Sequence, residues 1–299
     1  VYTAAMPRRV LPEQDRTARL LGLEAMEALA RAHVVVLGVG GVGTFAAEAL
    51  ARAGVGRLTL VDGERIDATN ANRQLHALHG VHGQNKAEAM AARLRLVSPA
   101  LRVDAVPEFY GEENADRIVP EGVSAVIDAM DTVVAKLHVI ARCRERGLLL
   151  VTALGAARRL DPTAVQVTDL CDSHTDQLAK DVRKYLRRRH GIPATEPTGV
   201  LAVWSVEEPR PTLPMPGDEE GVPGTRQAEG SAPDEGAGTA PRRREPKLYG
   251  SAVFVTGAFG LAAAGAVVAR LTGISPRTHR VLSEAEEKRR KKPARKPSR

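Results

Sequence analysis

The sequence predicts an α/β fold: a mostly parallel sheet with helices on both faces. Three observations carry that expectation. Short apolar runs of strand length, at 34–37, 57–61 and 124–129, end in glycine or aspartate. Helical patterns stand between them. The first run is followed at once by Gly38-x-Gly40-Gly41-x-Gly43, then by a helix and a second strand that delivers Asp62, 19 residues beyond Gly43. That succession is the order of a Rossmann-like nucleotide-binding unit.

Taken along the chain, residues 1–12 are expected to be disordered, and 15–21 and 23–30 read as short helices. The helix after the glycine turn spans 45–53 and stops at Gly54. Residues 86–96 carry Ala87, Met90, Ala91 and Leu94 at helical spacing, with Pro99 beyond. Strands follow at 101–106 and 124–129. A helix over 134–146 carries Cys143, which reads as packing. Strands at 148–153 and 165–169 flank a turn at Asp161-Pro162, and Cys171 falls in a loop. A helix over 180–189 and a strand over 199–205 complete the first block. Between 208 and 247 lie eight prolines and six glycines, too little apolar surface to build a core. This reads as a disordered insertion. Residues 250–269 hold no charge; being mostly glycine and alanine, they read as a buried helix rather than a membrane span, with membrane association left open. The folded unit is therefore 13–206 plus 248–274, followed by a basic, disordered tail over 275–299.

The chemistry is concentrated after the first strand. Glycine lets the backbone turn sharply and approach a phosphate, and the start of the next helix offers unpaired N–H groups to an anion. Asp62 can accept from ribose hydroxyls. A plain strand-to-helix turn would share the glycines but has no need of the acid. Asn70-x-Asn72-Arg73-Gln74 and Lys86 suit a triphosphate, because cations offset charge on the phosphates and amides fix geometry. Asp131 follows another strand, where it could face the phosphates and hold Mg²⁺; a helix cap is compatible with that role. Lys180, Arg183, Lys184, Arg187, Arg188 and Arg189 place six cations within ten residues, a candidate RNA-backbone contact, with a solvated face as the plainer alternative.

Gly38-x-Gly40-Gly41-x-Gly43, Asp62, Asn70-x-Asn72-Arg73-Gln74, Lys86 and Asp128-Ala129-Met130-Asp131 together resemble the adenylating domain of ubiquitin-activating enzymes and their bacterial ThiF and MoeB relatives. Within that family, Thr17-Ala18-Arg19-Leu20, Asn72-Arg73-Gln74-Leu75-His76-Ala77, Ala141-Arg142-Cys143-Arg144, Leu160-Asp161-Pro162-Thr163 and Val255-Thr256-Gly257-Ala258-Phe259-Gly260 resemble the bacterial tRNA threonylcarbamoyladenosine dehydratases. The likeness covers 10–206 and 248–272. It implies a ThiF-type fold, ATP with Mg²⁺, a tRNA substrate activated as an acyl-adenylate, and a cytoplasmic homodimer. It also implies that Arg19 reaches the ATP phosphates of the partner subunit, and it allows a cysteine desulfurase or other sulfur-acceptor partner. Two alternatives stay open: activation of the C-terminus of a ubiquitin-like sulfur carrier, and a non-catalytic nucleotide-binding adaptor. Some relatives have a cysteine where this chain has Ala202, so a catalytic role for that cysteine does not transfer.

Composition narrows these choices. The only cysteines, Cys143 and Cys171, exclude a disulfide framework and a paired-CxxC zinc site, which counts against the sulfur-carrier activators. Residues 1–12 do not read as an export signal. The net charge is +7, and removing the eight cations of 288–299 leaves −1. The fold is thus near neutral, and the tail carries the capacity for non-specific polyanion binding.

Overall fold

The computed structural model describes residues 11–193, 196–213 and 249–274. Two short helices, α1 (Asp15–Leu21) and α2 (Leu23–Arg31), precede the sheet. The first half runs β1 (His33–Leu37), α3 (Gly43–Ala53), β2 (Arg57–Val61), α4 (Lys86–Val97) and β3 (Arg102–Val106). A single-turn helix, α5 (Ala115–Ile118), leads to β4 (Ala125–Asp128), α6 (Val133–Glu145) and β5 (Leu149–Ala153). Then come β6 (Val165–Asp169), α7 (Gln177–His190), β7 (Leu201–Ser205) and α8 (Val253–Thr272).

Among the described residues seven strands form one sheet in the order β3-β2-β1-β4-β5-β7-β6. All neighbours are parallel except β6 and β7, which pair antiparallel. The apolar runs follow from this: a parallel strand covered on both faces is near-continuously apolar, and all five residues of β1 are buried, His33 within 2.8 Å of Thr59 Oγ1. Alternation then divides them. Val34 and Val36 join a core with α2, α3, α4 and α8, whereas Val35 and Leu37 join one with α6 and α7. The chain leaves β1 toward β2 on one side and β4 toward β5 on the other. The crevice between the carboxyl ends of β1 and β4 is therefore the topological switch point, where open sheets of this kind bind ligands.

The strand and helix expectations hold, with boundary shifts. Pro12, expected to be disordered, opens a 3₁₀ turn over Pro12–Gln14, because proline is pre-set for a first helical position. The basic helix starts earlier, at Gln177, because Asp176 caps it through the N–H groups of Leu178 and Ala179. Cys143 is buried in the core, its thiol pushed up to about 12 by desolvation. Arg210 falls within the expected insertion, yet its N–H donates to the Arg158 carbonyl at 2.8 Å, so ordered structure extends past 208. The rest of that segment, most of residues 1–12 and the 275–299 tail lie outside the described residues.

The uncharged helix α8 is long and apolar enough to cross a membrane by length and composition. One face of it packs on α3, burying Val255, Phe259, Ala263 and Val267 in the core. Its glycines permit the close approach. A Cβ on Gly260 would stand 2.4 Å from the Val42 carbonyl oxygen, whereas one on Gly265 would meet nothing within 4 Å. Gly260→Ala is expected to destabilise the protein by about 1–3 kcal/mol through overpacking. Gly265→Ala should stabilise it by roughly 0.5–1 kcal/mol through helix propensity. Denaturant unfolding of the two variants checks the contrast.

Candidate active site

The glycine turn is set by contact between strand ends. Gly38 sits at φ 84, and a Cβ there would lie 2.8 Å from the Ala129 carbonyl oxygen at the end of β4. Ala129 in turn donates its N–H to Leu37 at 2.8 Å. A Cβ on Gly43 would fall 1.9 Å from the Gly38 carbonyl oxygen, so α3 can begin only where that residue is glycine. Between them, Gly40 and Gly41 lead into α3, where the Thr44 and Ala46 N–H groups donate to the Gly40 and Val42 carbonyls at 3.1 Å each and the N–H groups ahead of Thr44 open the helix.

Asp62 closes this turn from the side. Its Oδ2 accepts the Val39 N–H and its Oδ1 the Glu64 N–H, each at 2.8 Å. Desolvation nonetheless holds its pKa above the ordinary aspartate value. Each oxygen keeps acceptor capacity for a ribose hydroxyl. Beyond Asp62, the exposed Phe109 ring packs over Gly63 and forms an apolar wall at the ends of β2 and β3. Nothing in the local sequence pattern singled it out.

The polar segment folds back over the glycines. The Arg73 stem lies against Gly41, where a Cβ would meet Cγ and Cδ at 3.1 and 3.2 Å, and Gln74 faces Gly40. Arg73 Nη1 donates to the Thr69 carbonyl at 3.0 Å and Asn72 Oδ1 at 2.7 Å, which fixes the guanidinium. Asn70 also has a structural task. It is buried, and its Oδ1 accepts the Asp67 N–H at 3.0 Å, closing a capping box around the turn that carries Arg73.

Lys86 is buried at the start of α4, its ammonium paired with the half-exposed Glu64 carboxylate. Asn85 places it. The Asn85 Oδ1 caps α4 through the Ala87 and Glu88 N–H groups, while its Nδ2 donates to the Asp62 carbonyl at 2.8 Å. One asparagine thus ties Lys86 to the end of β2, a role that an N-cap pattern before a helix can signal. Beside Lys86, both His76 ring nitrogens and Gln74 Oε1 are buried without a protein hydrogen-bond partner.

Asp131 lies across the crevice, exposed, one residue ahead of the α6 N-cap Thr132. Behind it is a network that sequence reasoning missed. Lys136 and Asp128, both fully buried, pair at 2.8 Å. The ammonium also reaches the Ala153 carbonyl at 2.9 Å, and Thr152 Oγ1 donates to Asp128 at 2.6 Å. The other Asp128 oxygen accepts the Met130 N–H at 3.1 Å, fixing the turn that presents Asp131. A lysine on the apolar side of a helix, eight residues past a strand-end aspartate, was the available signal.

The remaining candidates lie apart. Arg19 is exposed on α1, paired with Asp15 at 2.8 Å. Of the six α7 cations, Arg183 turns inward and bonds Ser173, which removes it from the proposed RNA surface. Lys180, Lys184, Arg187, Arg188 and Arg189 are exposed. α7 begins at the carboxyl end of β5, where Asp176 accepts the Gly155 N–H at 2.6 Å. Arg189 and His190 line a cleft with Ala141, Arg144 and Glu145, at the C-terminal end of α6. The arginine run therefore sits at the opposite edge of the sheet, roughly 20 Å along the helix. Cys171 lies in a 3₁₀ turn, its thiol pushed up to about 11 by burial and the carboxylates of Asp169 and Asp172. That is the reverse of an activated nucleophile.

These residues fit a nucleoside triphosphate: a cradle that a Cβ would fill, a carboxylate for the ribose, a fixed guanidinium, a buried ammonium and an unpartnered amide oxygen. Among the described residues no group of three or more His, Cys, Asp or Glu side chains gathers to hold a metal. A single exposed carboxylate at Asp131 fits Mg²⁺ held mainly by phosphate oxygens and water.

The ThiF family model matches residues 14–298. A tRNA threonylcarbamoyladenosine dehydratase of Bacillus subtilis is 44% identical over 200 residues, 67% of this chain and 77% of that protein. The enzyme of the same name from Haemophilus influenzae is 33% identical over 253 residues, 85% and 90% of the two chains. The crystal structure of the E. coli tRNA N6-threonylcarbamoyladenosine dehydratase TcdA in complex with ATP superposes with a TM-score of 0.73. It is 36% identical and covers 87% of this chain and 94% of that one.

Two predictions follow from the buried groups. Lys136→Met leaves the Asp128 carboxylate buried and unpaired; a loss of about 3–5 kcal/mol is expected in denaturant unfolding. The His76 imidazole is pushed down to about 4 by burial, with Lys86 and Arg93 disfavouring its cation. It protonates near 6.5 when unfolded, so its contribution is complete above that pH and is lost as pH falls toward 4, roughly 3–4 kcal/mol in all. Stability measured across this window should decline less in His76→Leu than in the wild type.

Proposed function

The chain belongs to the ThiF family, and on that premise we propose that it is an ATP-dependent tRNA threonylcarbamoyladenosine dehydratase. The observation that carries this reading is the seating of the Arg73 stem on Gly41, with Gln74 over Gly40. It brings a fixed cation and an amide beside the glycine turn that leads into α3, which supports a phosphate contact there. The match over 90% of the Haemophilus influenzae dehydratase and 94% of the E. coli one supports the same substrate. Activation of a sulfur-carrier protein is not favoured.

The substrate carboxylate is a poor electrophile because its leaving group would be hydroxide or oxide. Its attack on the α-phosphorus of ATP forms an O–P bond, releases pyrophosphate and gives an acyl-adenylate. A nitrogen of the same modified base then attacks the activated carbonyl, closes a ring and expels AMP. The nucleoside loses one water overall. Arg73 and Lys86 stabilise the charge that develops on the phosphates. Glu64 is half exposed and can swing into solvent, releasing Lys86 to a phosphate. Mg²⁺ at Asp131 would supply further neutralisation of phosphate charge. No enzyme nucleophile is needed, which suits a protein whose cysteine thiols are both raised. Ring closure within one nucleoside also has a high effective concentration.

The finer assignments belong to the same proposal. A homodimer would let the exposed Arg19 reach a partner's phosphates, and the exposed Leu20 and Leu23 beside it offer apolar surface for such an interface. The tRNA-containing, reducing cytoplasm is the compartment this reading implies.

Incubation with ATP, Mg²⁺ and tRNA carrying threonylcarbamoyladenosine, followed by mild digestion and nucleoside mass spectrometry, tests it. An ATP-dependent product lighter by one water is expected; its absence with intact tRNA would sink the reading. Lys86→Ala and Arg73→Ala are each expected to lower the rate at least about 100-fold. Their circular dichroism should remain that of the wild type.

A further inference from the structure

Arg158 and Tyr249 are not used by the chemistry above. The Arg158 guanidinium carbon lies 5.0 Å from the centroid of the Tyr249 ring. Arg158 has φ 63, in the left-handed region that L side chains rarely adopt. Two backbone bonds hold it there: its N–H donates to the Gly250 carbonyl and its own carbonyl accepts the Arg210 N–H, both at 2.8 Å. Glycine would make the same two bonds without strain, so what the arginine adds is its side chain. Tyr249 is 44% exposed and Arg158 partly so. Among the described residues Arg158 has no carboxylate at ion-pair distance.

The pair stands on the rim of the candidate active site. Tyr249 is two residues from Ser251, at most about 7 Å of chain. The Ser251 carbonyl accepts Asn72 Nδ2 at 3.1 Å, beside Arg73. One turn into α8, Thr256 lies against Gly41, where a Cβ would approach it to 3.3 Å. An enzyme that acts on one nucleoside within RNA must draw it out of the stack, which leaves a neighbouring base unpartnered. Aromatic rings and guanidinium planes are the surfaces on which such bases stack.

We propose that Arg158 and Tyr249 form a stacking platform for an unpaired nucleobase next to the modified nucleoside. The proposal rests on the tRNA reading above. The test uses the full chain and an anticodon stem-loop carrying threonylcarbamoyladenosine, with 2-aminopurine at the adjacent loop position. Wild-type protein should bind it and quench the fluorophore. Tyr249→Ala and Arg158→Gly should each weaken binding by about tenfold and reduce the quench. Tyr249→Phe should retain both, and the affinity of all three variants for a fluorescent ATP analogue should match the wild type. Wild-type affinity and quench in Tyr249→Ala and Arg158→Gly would overturn the platform alone. Failure of the wild-type protein to bind the stem-loop, or to remove water from its modified nucleoside with ATP, would overturn the tRNA reading and the platform with it.

Discussion

Two strand ends come so close at the centre of the sheet that only backbone fits between them. With a methyl group on Gly38, Ala129 would have to move; with one on Gly43, Gly38 itself would. That approach directs α3 across the strand end and brings the Val39 N–H within 2.8 Å of Asp62. It also leaves the Val42 carbonyl exposed to the close packing of α8 through Gly260. The glycine turn and the last helix of the fold depend on the same absence of side chains.

Much of the fold was legible because parallel strands buried on both faces read as near-continuous apolar runs, the first two followed by Gly38 and Asp62. The candidate site was legible as a cluster: Gly38, Asp62, Arg73 and Lys86, singled out by their spacing, gather at the carboxyl ends of the strands. It was not legible where a polar residue serves another polar residue. Asn70 reads as a ligand from its spacing, and only the fold shows that its Oδ1 also holds a turn. Asn85 and Lys136 read as helix residues, and only the fold shows that one ties α4 to β2 and the other pairs with Asp128. Arg183 shows the same limit on a charged helix, since the pattern of cations does not reveal that Ser173 lies within reach of one of them. Phe109 was invisible because its partner is a glycine far from it in sequence.

The sheet has two chemically different edges. Asp62, Lys86 and Asp131 gather at the carboxyl ends of the strands, where nucleotide chemistry is expected. The exposed arginines at the end of α7 gather at the other edge, beside the end of α6. Helix α7 spans the distance between them.

The bonds around Arg158 also bear on how this chain can change length. Arg210 and Gly250 are hydrogen-bonded to the same residue, so any chain joining these two anchors closes a loop between neighbouring points. Closing such a loop costs only about 0.6 kcal/mol more for each doubling of its length. Residues can be gained or lost there with little effect on the sheet. A fluorescent protein or an affinity module inserted between these anchors would hang from a single clasp, its own termini close together, without entering the core.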